Sequence, residues 1–302
     1  MNLSPTSASE RDLVSALALR HGLELSANLD INELGLDFRV VTTADRSGTP
    51  WVLRIPRRAD VIKKIHRESR TLELLRRQVP FAVPDWRIVS DELVAYPRLN
   101  DPTAIHIEAS SGEVIWNIDR NTDGFVASLG SALAALHQIP AEQAVQAGLK
   151  NSSPDDLRRQ VARDIEVVNG SFGIDPGLKQ RWADWLNDDT SWPDFTVVVH
   201  GDLYAGHLLV NSQDAVTGMI DWTEAEISDP SIDFTSHLLL FGEGGLEGLI
   251  HHYETAGGRI WPRMAHHTKE RLSLTPIRYA LFALESGEQV HMDAARAQLL
   301  PP

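Results

Sequence analysis

The sequence predicts an α+β fold of two lobes, a small lobe rich in strands followed by a larger lobe that is mainly helical. Strand-like segments flank one long amphipathic helix in the first hundred residues, whereas the patterns from residue 125 onward are mostly helical. The change of character follows the turn-forming stretch Leu99–Pro102. The length of 302 residues is enough for two hydrophobic cores with a cleft between them. We therefore predict an N-terminal lobe of residues 1–97 and a C-terminal lobe of residues 98–302.

The small lobe is predicted to begin with a helix. Ser7 and Glu10 stand three residues apart, as in a capping box, and precede a helical pattern that Gly22 ends. The apolar positions of this pattern are Leu13, Ala16, Leu17 and Leu19.

A β-hairpin and a longer helix are predicted next. The segments Phe38–Thr42 and Trp51–Ile55 are typical of strands, and the turn-rich stretch Ala44–Pro50 between them indicates a hairpin. Residues 57–78 then form a charged helical pattern, whose apolar positions are Val61, Ile65, Leu72 and Leu75. Two further short strands complete the lobe, at residues 87–89 and 93–96.

The large lobe is predicted to consist of helices around two short strands. Helical patterns begin at Phe125 and continue from Asp233 to the end of the sequence. The predicted helices before Asp233 cover residues 125–137, 154–169 and 178–186. The apolar segments 197–200 and 215–220 are short enough for buried strands.

The charge of the chain is uneven. The net charge is −14, and residues 101–302 hold 13 Lys and Arg against 29 Asp and Glu. An acidic surface repels nucleic acid and anionic membranes, so we expect neither as a partner. It would attract a cationic small molecule, although acidic surfaces also serve solubility alone.

The absence of cysteine excludes disulfides and thiolate metal sites, as expected of a protein in the reducing cytoplasm. The first residues lack a basic segment followed by an apolar one, so we expect no signal peptide. No apolar run reaches the roughly 18 residues that span a bilayer. We expect a cytoplasmic monomer.

Two acidic residues that follow short strands carry the predicted chemistry. His200-Gly201-Asp202 follows one buried strand, and Ile220-Asp221-Trp222 follows the next. If these strands pair, their terminal carboxylates lie close together. Such a pair suits phosphoryl transfer, in which one carboxylate orients the attacking hydroxyl and another holds Mg²⁺ against the phosphates.

These motifs resemble the aminoglycoside phosphotransferase superfamily, which is similar in fold to protein kinases. The resemblance implies that Asp202 is the catalytic base, that Asp221 binds metal, and that Asp233 of Asp229–Phe234 is structural. It extends upstream over residues 33–240, because Trp51–Arg58 looks like the strand that carries the phosphate-binding cation. The resemblance identifies Arg54 as that cation and Glu68 as its ion-pair partner.

Within the superfamily, the sequence is most similar to the macrolide 2′-phosphotransferases. The segments that carry this likeness are Gly35–Phe38, Trp51–Arg58, Trp185–Asp189, His200–His207, Ile220–Glu226 and Phe241–Leu246. The resemblance implies GTP-preferring transfer of the γ-phosphoryl group to the 2′-hydroxyl of desosamine, with Mg²⁺. It also places His207 where related enzymes have a metal-binding Asn, and Arg54 where they have Lys. Only Gly35 represents a Gly-rich phosphate loop.

The nucleotide is predicted to lie between the lobes, at the linker residues Tyr96, Pro97, Arg98 and Leu99. The macrolide is predicted to bind in the helical lobe. Candidates for contact with its protonated dimethylamine are Glu224, Glu226 and Asp229. Candidates for an apolar wall, for which core packing is the alternative, are Trp222, Phe241, Tyr279 and Phe282.

Four alternatives follow from the same residues. A zinc site is disfavoured, because His251-His252 and His266-His267 lack helical i, i+4 ligand spacing and thiolate companions. A kinase acting on another small hydroxylated substrate, such as an aminoglycoside, would use the same carboxylates. A non-catalytic nucleotide-binding module would not need both Asp202 and Asp221. A protein kinase is disfavoured, because no Ala-Pro-Glu segment follows Asp221.

Overall fold

A five-stranded antiparallel sheet forms the first lobe of the structure, a computed structural model that describes residues 8–33, 37–108, 111–120 and 122–300. The strand order is β1-β2-β3-β5-β4. The strands are β1 Leu25–Asn32, β2 Phe38–Asp45, β3 Pro50–Pro56, β4 Ile88–Val89 and β5 Val94–Pro97. The predicted hairpin is confirmed, because β2 pairs with β3 from Phe38 opposite Pro56 to Ala44 opposite Pro50.

Helices cover both faces of this sheet. Side chains alternate along each strand, so neighbouring residues belong to opposite faces. Val41, Leu53 and Ala95 pack with helix α1 (Ala8–Arg20) in one cluster. The other face packs against helix α2 (Val61–Gln78), with Val94 beside Val61 and Ile65. The sheet therefore fixes α2, which carries Glu68, on the side away from α1.

Helix α1 forms as predicted, but its buried face differs from the predicted one. Leu13 and Leu19 are 69% and 58% exposed, whereas Val14 and Ala18 are buried against the sheet. Gly22 follows the helix with a φ of 80°. The predicted cap, Ser7, lies outside the described residues.

The second lobe is mainly helical. It begins with a hairpin of β6 and β7, and four short strands lie between α6 and α7. Its elements are β6 Ile105–Ile107, β7 Val114–Trp116, α3 Gly124–His137, α4 Ala141–Gln146, α5 Pro154–Phe172, α6 Pro176–Asn187, β8 Val197–Val199, β9 Leu208–Val210, β10 Val216–Met219, β11 Glu226–Ser228, α7 Thr235–Thr255, α8 Met264–Ser273, α9 Thr275–Ser286 and α10 Gln289–Leu299. The predicted two-lobed α+β fold is confirmed. No helix in the described part of the chain is long and apolar enough to cross a membrane.

The pairing of the short strands is not the predicted one. We expected the strands before Asp202 and Asp221 to pair with each other. Instead β8 pairs with β11, and β10 pairs with β9 in a separate two-stranded sheet. The two carboxylates are therefore brought together by the loops that follow the strands.

Candidate active site

Asp202 follows β8 on a loop that the buried carboxylate of Asp233 holds in place. Asp233 Oδ2 accepts a hydrogen bond from the backbone N–H of His200 at 2.8 Å, and its Oδ1 accepts one from Gly201 at 3.0 Å. Gly201 has a φ of 85°, and a Cβ there would lie 2.2 Å from the carbonyl oxygen of Glu224. Only glycine fits this position, where the loop passes against a neighbouring backbone.

His200 braces the same loop from the other side. Its Nε2 donates to the carbonyl of Ile220 at 2.9 Å, and its Nδ1 accepts the N–H of Asp202 at 3.4 Å. Burial lowers the pKa of His200, which keeps the ring neutral and Nδ1 free to accept. His200 thus connects the loop of Asp202 with the residue before Asp221.

Two further buried side chains hold Asp233. His137 Nε2 lies 3.2 Å from Asp233 Oδ2, and His137 Nδ1 lies 3.0 Å from the hydroxyl of Tyr253. All three residues are at most 6% exposed. This chain of contacts runs from α7 through α3 to the backbone of the Asp202 loop.

The side chain of Asp202 is open to the cleft, with 65% of its surface exposed. Partial loss of hydration raises its pKa, His207 opposes this effect, and the negative charges of Asp221 and Glu224 add to it. A raised pKa makes the carboxylate a better proton acceptor. Asp202 therefore has both the access and the basicity that a base acting on a substrate hydroxyl needs.

His207 and Asp221 fit a divalent cation such as Mg²⁺. His207 Nδ1 donates to the carbonyl of Asp202 at 2.8 Å, so Nε2 carries the free lone pair. Nε2 lies 3.7 Å from Asp221 Oδ2. Two ligands about 2.1 Å from one Mg²⁺ lie between about 3 and 4.2 Å apart, which includes this separation.

The described residues contain no group of three or more His, Cys, Asp or Glu side chains arranged to hold a metal. Mg²⁺ commonly takes one or two protein ligands and completes its shell with phosphates and water. The pair of Asp221 and His207 is consistent with that habit. Burial would raise the pKa of Asp221, but the positive charge of Arg54 lowers it below its ordinary value, so the carboxylate is anionic.

Arg54 and Glu68 form the ion pair that the resemblance implied. Arg54 NH1 donates to Glu68 Oε1 at 2.8 Å, and Arg54 NH2 lies 3.7 Å from Asp221 Oδ1. The guanidinium also stacks over Phe38, 4.1 Å from the ring centroid. Burial alone would lower the pKa of Arg54, but Glu68 and Asp221 raise it, so the cation persists in the core of the site. Burial also raises the pKa of Glu68, and Arg54 opposes this.

Thr223, which the sequence analysis did not single out, lies among these charges. Its hydroxyl is 2.8 Å from Glu68 Oε2 and 3.1 Å from Asp221 Oδ1. It also accepts a hydrogen bond from Arg54 NH2 at 3.3 Å. In the sequence, its position two residues after Asp221 was the one feature that indicated contact between the two side chains.

Asp221 itself has a φ of 66°, in the left-handed region. A non-glycine residue in this region costs of order 1 kcal/mol or more and persists where its surroundings enforce it. The side-chain contacts of Asp221 with Thr223 and Arg54 hold it in this conformation.

A cavity of about 620 Å³ lies between the lobes. The linker residues Tyr96, Arg98 and Leu99 line one side, and Leu209 and Ile220 of the second lobe line another. Its volume is within the range of small-molecule sites. Ile220, the residue before Asp221, is part of the lining, whereas Asp202 and Asp221 are not. Pro97 is not part of the lining, and Gly35 lies outside the described residues.

The linker is poor in backbone donors. Pro97 has no N–H, and the N–H of Arg98 donates to the carbonyl of Pro50 at 2.8 Å. Tyr96 and Leu99 are the remaining predicted linker residues that carry an N–H.

Asp229 and Trp222 are core residues, contrary to the predicted substrate contacts. Asp229 is 0% exposed, and its Oδ2 accepts hydrogen bonds from His267 Nε2 at 2.6 Å and Arg271 Nε at 2.9 Å. Burial would raise the pKa of Asp229, but His267 and Arg271 hold it well below its usual range. Trp222 is 1% exposed and lies against His200, 4.5 Å between ring centroids. Neither side chain can reach a ligand in the cleft.

The other candidates for substrate contact differ in access. Glu224 has 57% of its side chain exposed, its Oε1 lies 3.7 Å from Lys64 Nζ, and its charge raises the pKa of Asp202. Glu226 is on β11, and its Oε2 lies 3.5 Å from the side-chain nitrogen of Lys150. Phe241 is half-buried and stacks on His237, 4.4 Å between centroids.

Tyr279 and Phe282 lie on α9, which also carries Arg278. Tyr279 is half-buried with its hydroxyl 2.9 Å from His291, and Phe282 is 38% exposed. The charge of Arg278 lowers the pKa of Asp202. Arg278 was not among the predicted residues, because a helical pattern does not indicate which distant residue a helix comes near.

This geometry defines a class of enzyme. Phosphoryl transfer from a nucleotide to a hydroxyl requires a cleft for the nucleotide, a cation and metal ligands for its phosphates, and an accessible base. The described residues include a cavity between the lobes, the buried cation Arg54 beside Asp221, and the exposed carboxylate of Asp202.

Comparison with known proteins agrees with this class. The sequence pattern of the phosphotransferase enzyme family matches residues 31–267, and the chain belongs to that family. It is thus a phosphotransferase with a hydroxyl as acceptor. An uncharacterized protein of Bacillus subtilis (strain 168), YcbJ, is 38% identical over 296 residues, which cover 96% of this chain and 97% of YcbJ.

Solved structures of similar proteins extend the comparison. A macrolide 2′-phosphotransferase type I is 48% identical with a TM-score of 0.93, over 99% of this chain and 100% of its own. Macrolide 2′-phosphotransferase MphH from Brachybacterium faecium is 40% identical with a TM-score of 0.91, over 97% and 99%. APH(2″)-IIIa, solved with GDP and kanamycin, shares the fold at 19% identity with a TM-score of 0.76, over 95% and 96%.

Proposed function

We propose that this enzyme inactivates macrolide antibiotics by transferring the γ-phosphoryl group of GTP to the 2′-hydroxyl of desosamine. The observation that carries the proposal is the similarity, over nearly the whole chain, to two macrolide 2′-phosphotransferases at 48% and 40% identity. The accessible Asp202 beside the paired Asp221 and His207 supports the chemistry.

Residues 1–97 serve as the nucleotide-binding lobe, and residues 98–302 carry the catalytic loop and the acceptor site. The nucleotide lies in the 620 Å³ cavity against Tyr96, Arg98 and Leu99. Arg54 contributes positive charge near the phosphates, and Glu68 keeps its guanidinium in position. Asp221 and His207 would hold Mg²⁺, which neutralises phosphate charge when bound.

In the transfer step, Asp202 accepts a hydrogen bond from the acceptor hydroxyl and takes its proton as the new oxygen–phosphorus bond forms. The bond between the γ-phosphorus and the β,γ-bridging oxygen breaks, and GDP leaves with that electron pair. Asp202 mainly orients the nucleophile, because catalysis of phosphoryl transfer depends chiefly on positioning and electrostatics.

The preference for guanine rests on the resemblance to macrolide 2′-phosphotransferases. Adenine needs a linker N–H for its ring nitrogen N1, and guanine needs one for O6 together with acceptors for its N1–H and 2-amino group, so the linker backbone does not separate the two bases. Pro97 has no N–H and that of Arg98 is bonded to Pro50, so half of the four predicted linker residues cannot donate to a base. We expect kcat/KM to favour GTP over ATP, and a tenfold preference for ATP would refute the assignment.

The acceptor is expected to bind through both charge and apolar contact. Glu224 is the accessible carboxylate for the protonated dimethylamine, and the exposed Phe282 offers apolar surface on α9. An exposed ion pair is weak and screened by salt, so apolar burial supplies most of the affinity. Raising the salt concentration to about 1 M should therefore increase KM for the macrolide only a few-fold.

The test is to incubate the enzyme with GTP or ATP and an erythromycin-type macrolide, and to measure a phosphate mass gain. A 2′-O-methyl macrolide is the matched control, because it lacks only the proposed acceptor hydroxyl. Phosphorylation of this derivative would exclude the 2′ position. Equal turnover of aminoglycosides would refute macrolide specificity and leave the chemistry at Asp202 and Asp221 in place.

A further inference from the structure

Thr223 connects the two lobes at the point where the nucleotide phosphates are proposed to bind. It belongs to the second lobe, two residues after Asp221, yet its partners are on β3 and α2 of the first. Its hydroxyl contacts Glu68 of α2 and Arg54 of β3, and its carbonyl accepts a hydrogen bond from Arg67 of α2 at 2.6 Å. At 8% exposure, it is buried between the lobes.

The hydroxyl has one proton and two carboxylate acceptors. Glu68 Oε2 is at 2.8 Å and Asp221 Oδ1 is at 3.1 Å, so the proton can bond to only one of them at a time. The oxygen remains available to Arg54 NH2 at 3.3 Å. One side chain therefore contacts the proposed phosphate-binding cation, its ion-pair partner and the proposed metal ligand together.

We propose that Thr223 is a positioning residue that ties α2 to Asp221 and so sets the relative position of the two lobes for phosphate and metal binding. The inference deepens the proposed function, since it concerns how the nucleotide part of that site is assembled. Thr223 does not touch the reacting atoms; it acts through Glu68, Arg54 and Asp221. Without its hydroxyl, Glu68 Oε2 loses its donor in a buried place, where an unmet acceptor is costly.

The test compares Thr223→Val, which keeps the volume and the β-branch, with Thr223→Ser, which keeps the hydroxyl. Thr71→Val is the matched control. Thr71 is also buried and lies on α2, but its hydroxyl donates within the helix, to the carbonyl of Arg67 at 3.1 Å. Each variant is measured for GTP and GDP affinity with and without Mg²⁺, for kcat and KM, and for hydrogen exchange of α2 in the nucleotide-free protein.

We expect Thr223→Val to weaken Mg²⁺-dependent nucleotide affinity by about tenfold and to speed exchange of the α2 amides. KM for the macrolide should stay within twofold, because Thr223 has no access to the acceptor. Thr223→Ser and Thr71→Val should resemble the wild type. The proposal is overturned if Thr223→Val binds nucleotide as Thr71→Val does, or if Thr223→Ser is as impaired as Thr223→Val.

Failure of the proposed function would be recognised separately. A wild-type enzyme that binds nucleotide but leaves macrolides unmodified would refute the acceptor assignment. The comparison of nucleotide affinities among the three variants would still decide the role of Thr223.

Discussion

Replacing Asp229 with Asn tests whether this carboxylate holds the fold or binds the substrate. Asp229 Oδ2 accepts hydrogen bonds from His267 and Arg271, and its Oδ1 accepts one from the backbone N–H of Ser231 at 2.9 Å. An Asn side chain has one oxygen and one NH₂ group. In either orientation of the amide, its NH₂ group faces a hydrogen-bond donor, and Arg271 loses its buried counter-charge.

The expected cost can be estimated from this burial. Removing one partner of a buried ion pair costs about 3–5 kcal/mol. Unfolding entropy is about 2.1 cal/mol/K per residue, which for 302 residues is about 0.63 kcal/mol/K. The melting temperature should therefore fall by about 5–8 °C.

The assay is thermal unfolding by calorimetry, with steady-state kinetics below the transition. Glu226→Gln is the matched control: it is also a carboxylate-to-amide change, but Glu226 pairs with a Lys150 side chain that is 66% exposed, a kind of contact worth at most about 1 kcal/mol. If Asp229→Asn left the melting temperature unchanged and instead raised KM for the macrolide, our assignment of Asp229 to the core would be wrong.

Three further predictions concern Asp202, Asp221 and one buried histidine. Asp202→Ala should lower kcat by at least about 10²-fold with little effect on nucleotide affinity or stability, because its side chain is exposed; a variant that keeps most of its turnover would exclude a base at this position. Asp221→Asn should weaken Mg²⁺-dependent nucleotide binding more than Asp202→Ala does, and equal affinities in a Mg²⁺ titration would contradict this. Burial lowers the pKa of His237 from 6.5 to about 4, so the folded protein resists its protonation while the unfolded chain does not. Its stabilising contribution should be complete above pH 6.5 and decline as the pH falls towards 4, by about 3 kcal/mol. Chemical denaturation across this range should show a shallower pH slope for His237→Gln, and an unchanged slope would show that other groups cause it.

Local patterns predicted the elements that carry the site. The hairpin β2–β3 follows from two strand-like segments around a turn. Helix α2 follows from four apolar positions at helical spacing, all of which are buried in the structure. Strand β1 was missed, because Leu25–Asn32 has only one buried position, Leu29, and its polar residues resemble a loop.

Contacts between distant segments could not be predicted in this way. Asp229 looked like an exposed acidic residue near the active site, but Arg271 and His267, which bury it, lie 42 and 38 residues further along the chain. The pairing of β8 with β11 was likewise hidden, since three-residue strands carry too little pattern to choose a partner. Motif resemblance identified Arg54 and Glu68, whereas Thr223 became apparent only when the lobes were seen in contact.

The chain of contacts from Tyr253 through His137 to Asp233 has a consequence for how the enzyme uses binding energy. Folding of the protein core already fixes the backbone of His200 and Gly201, so a ligand need not order the loop that presents Asp202. The conformational entropy of that loop is lost during folding, so it does not reduce the binding free energy of the acceptor. The contacts that a large acceptor makes are then available to align its hydroxyl with the phosphorus atom.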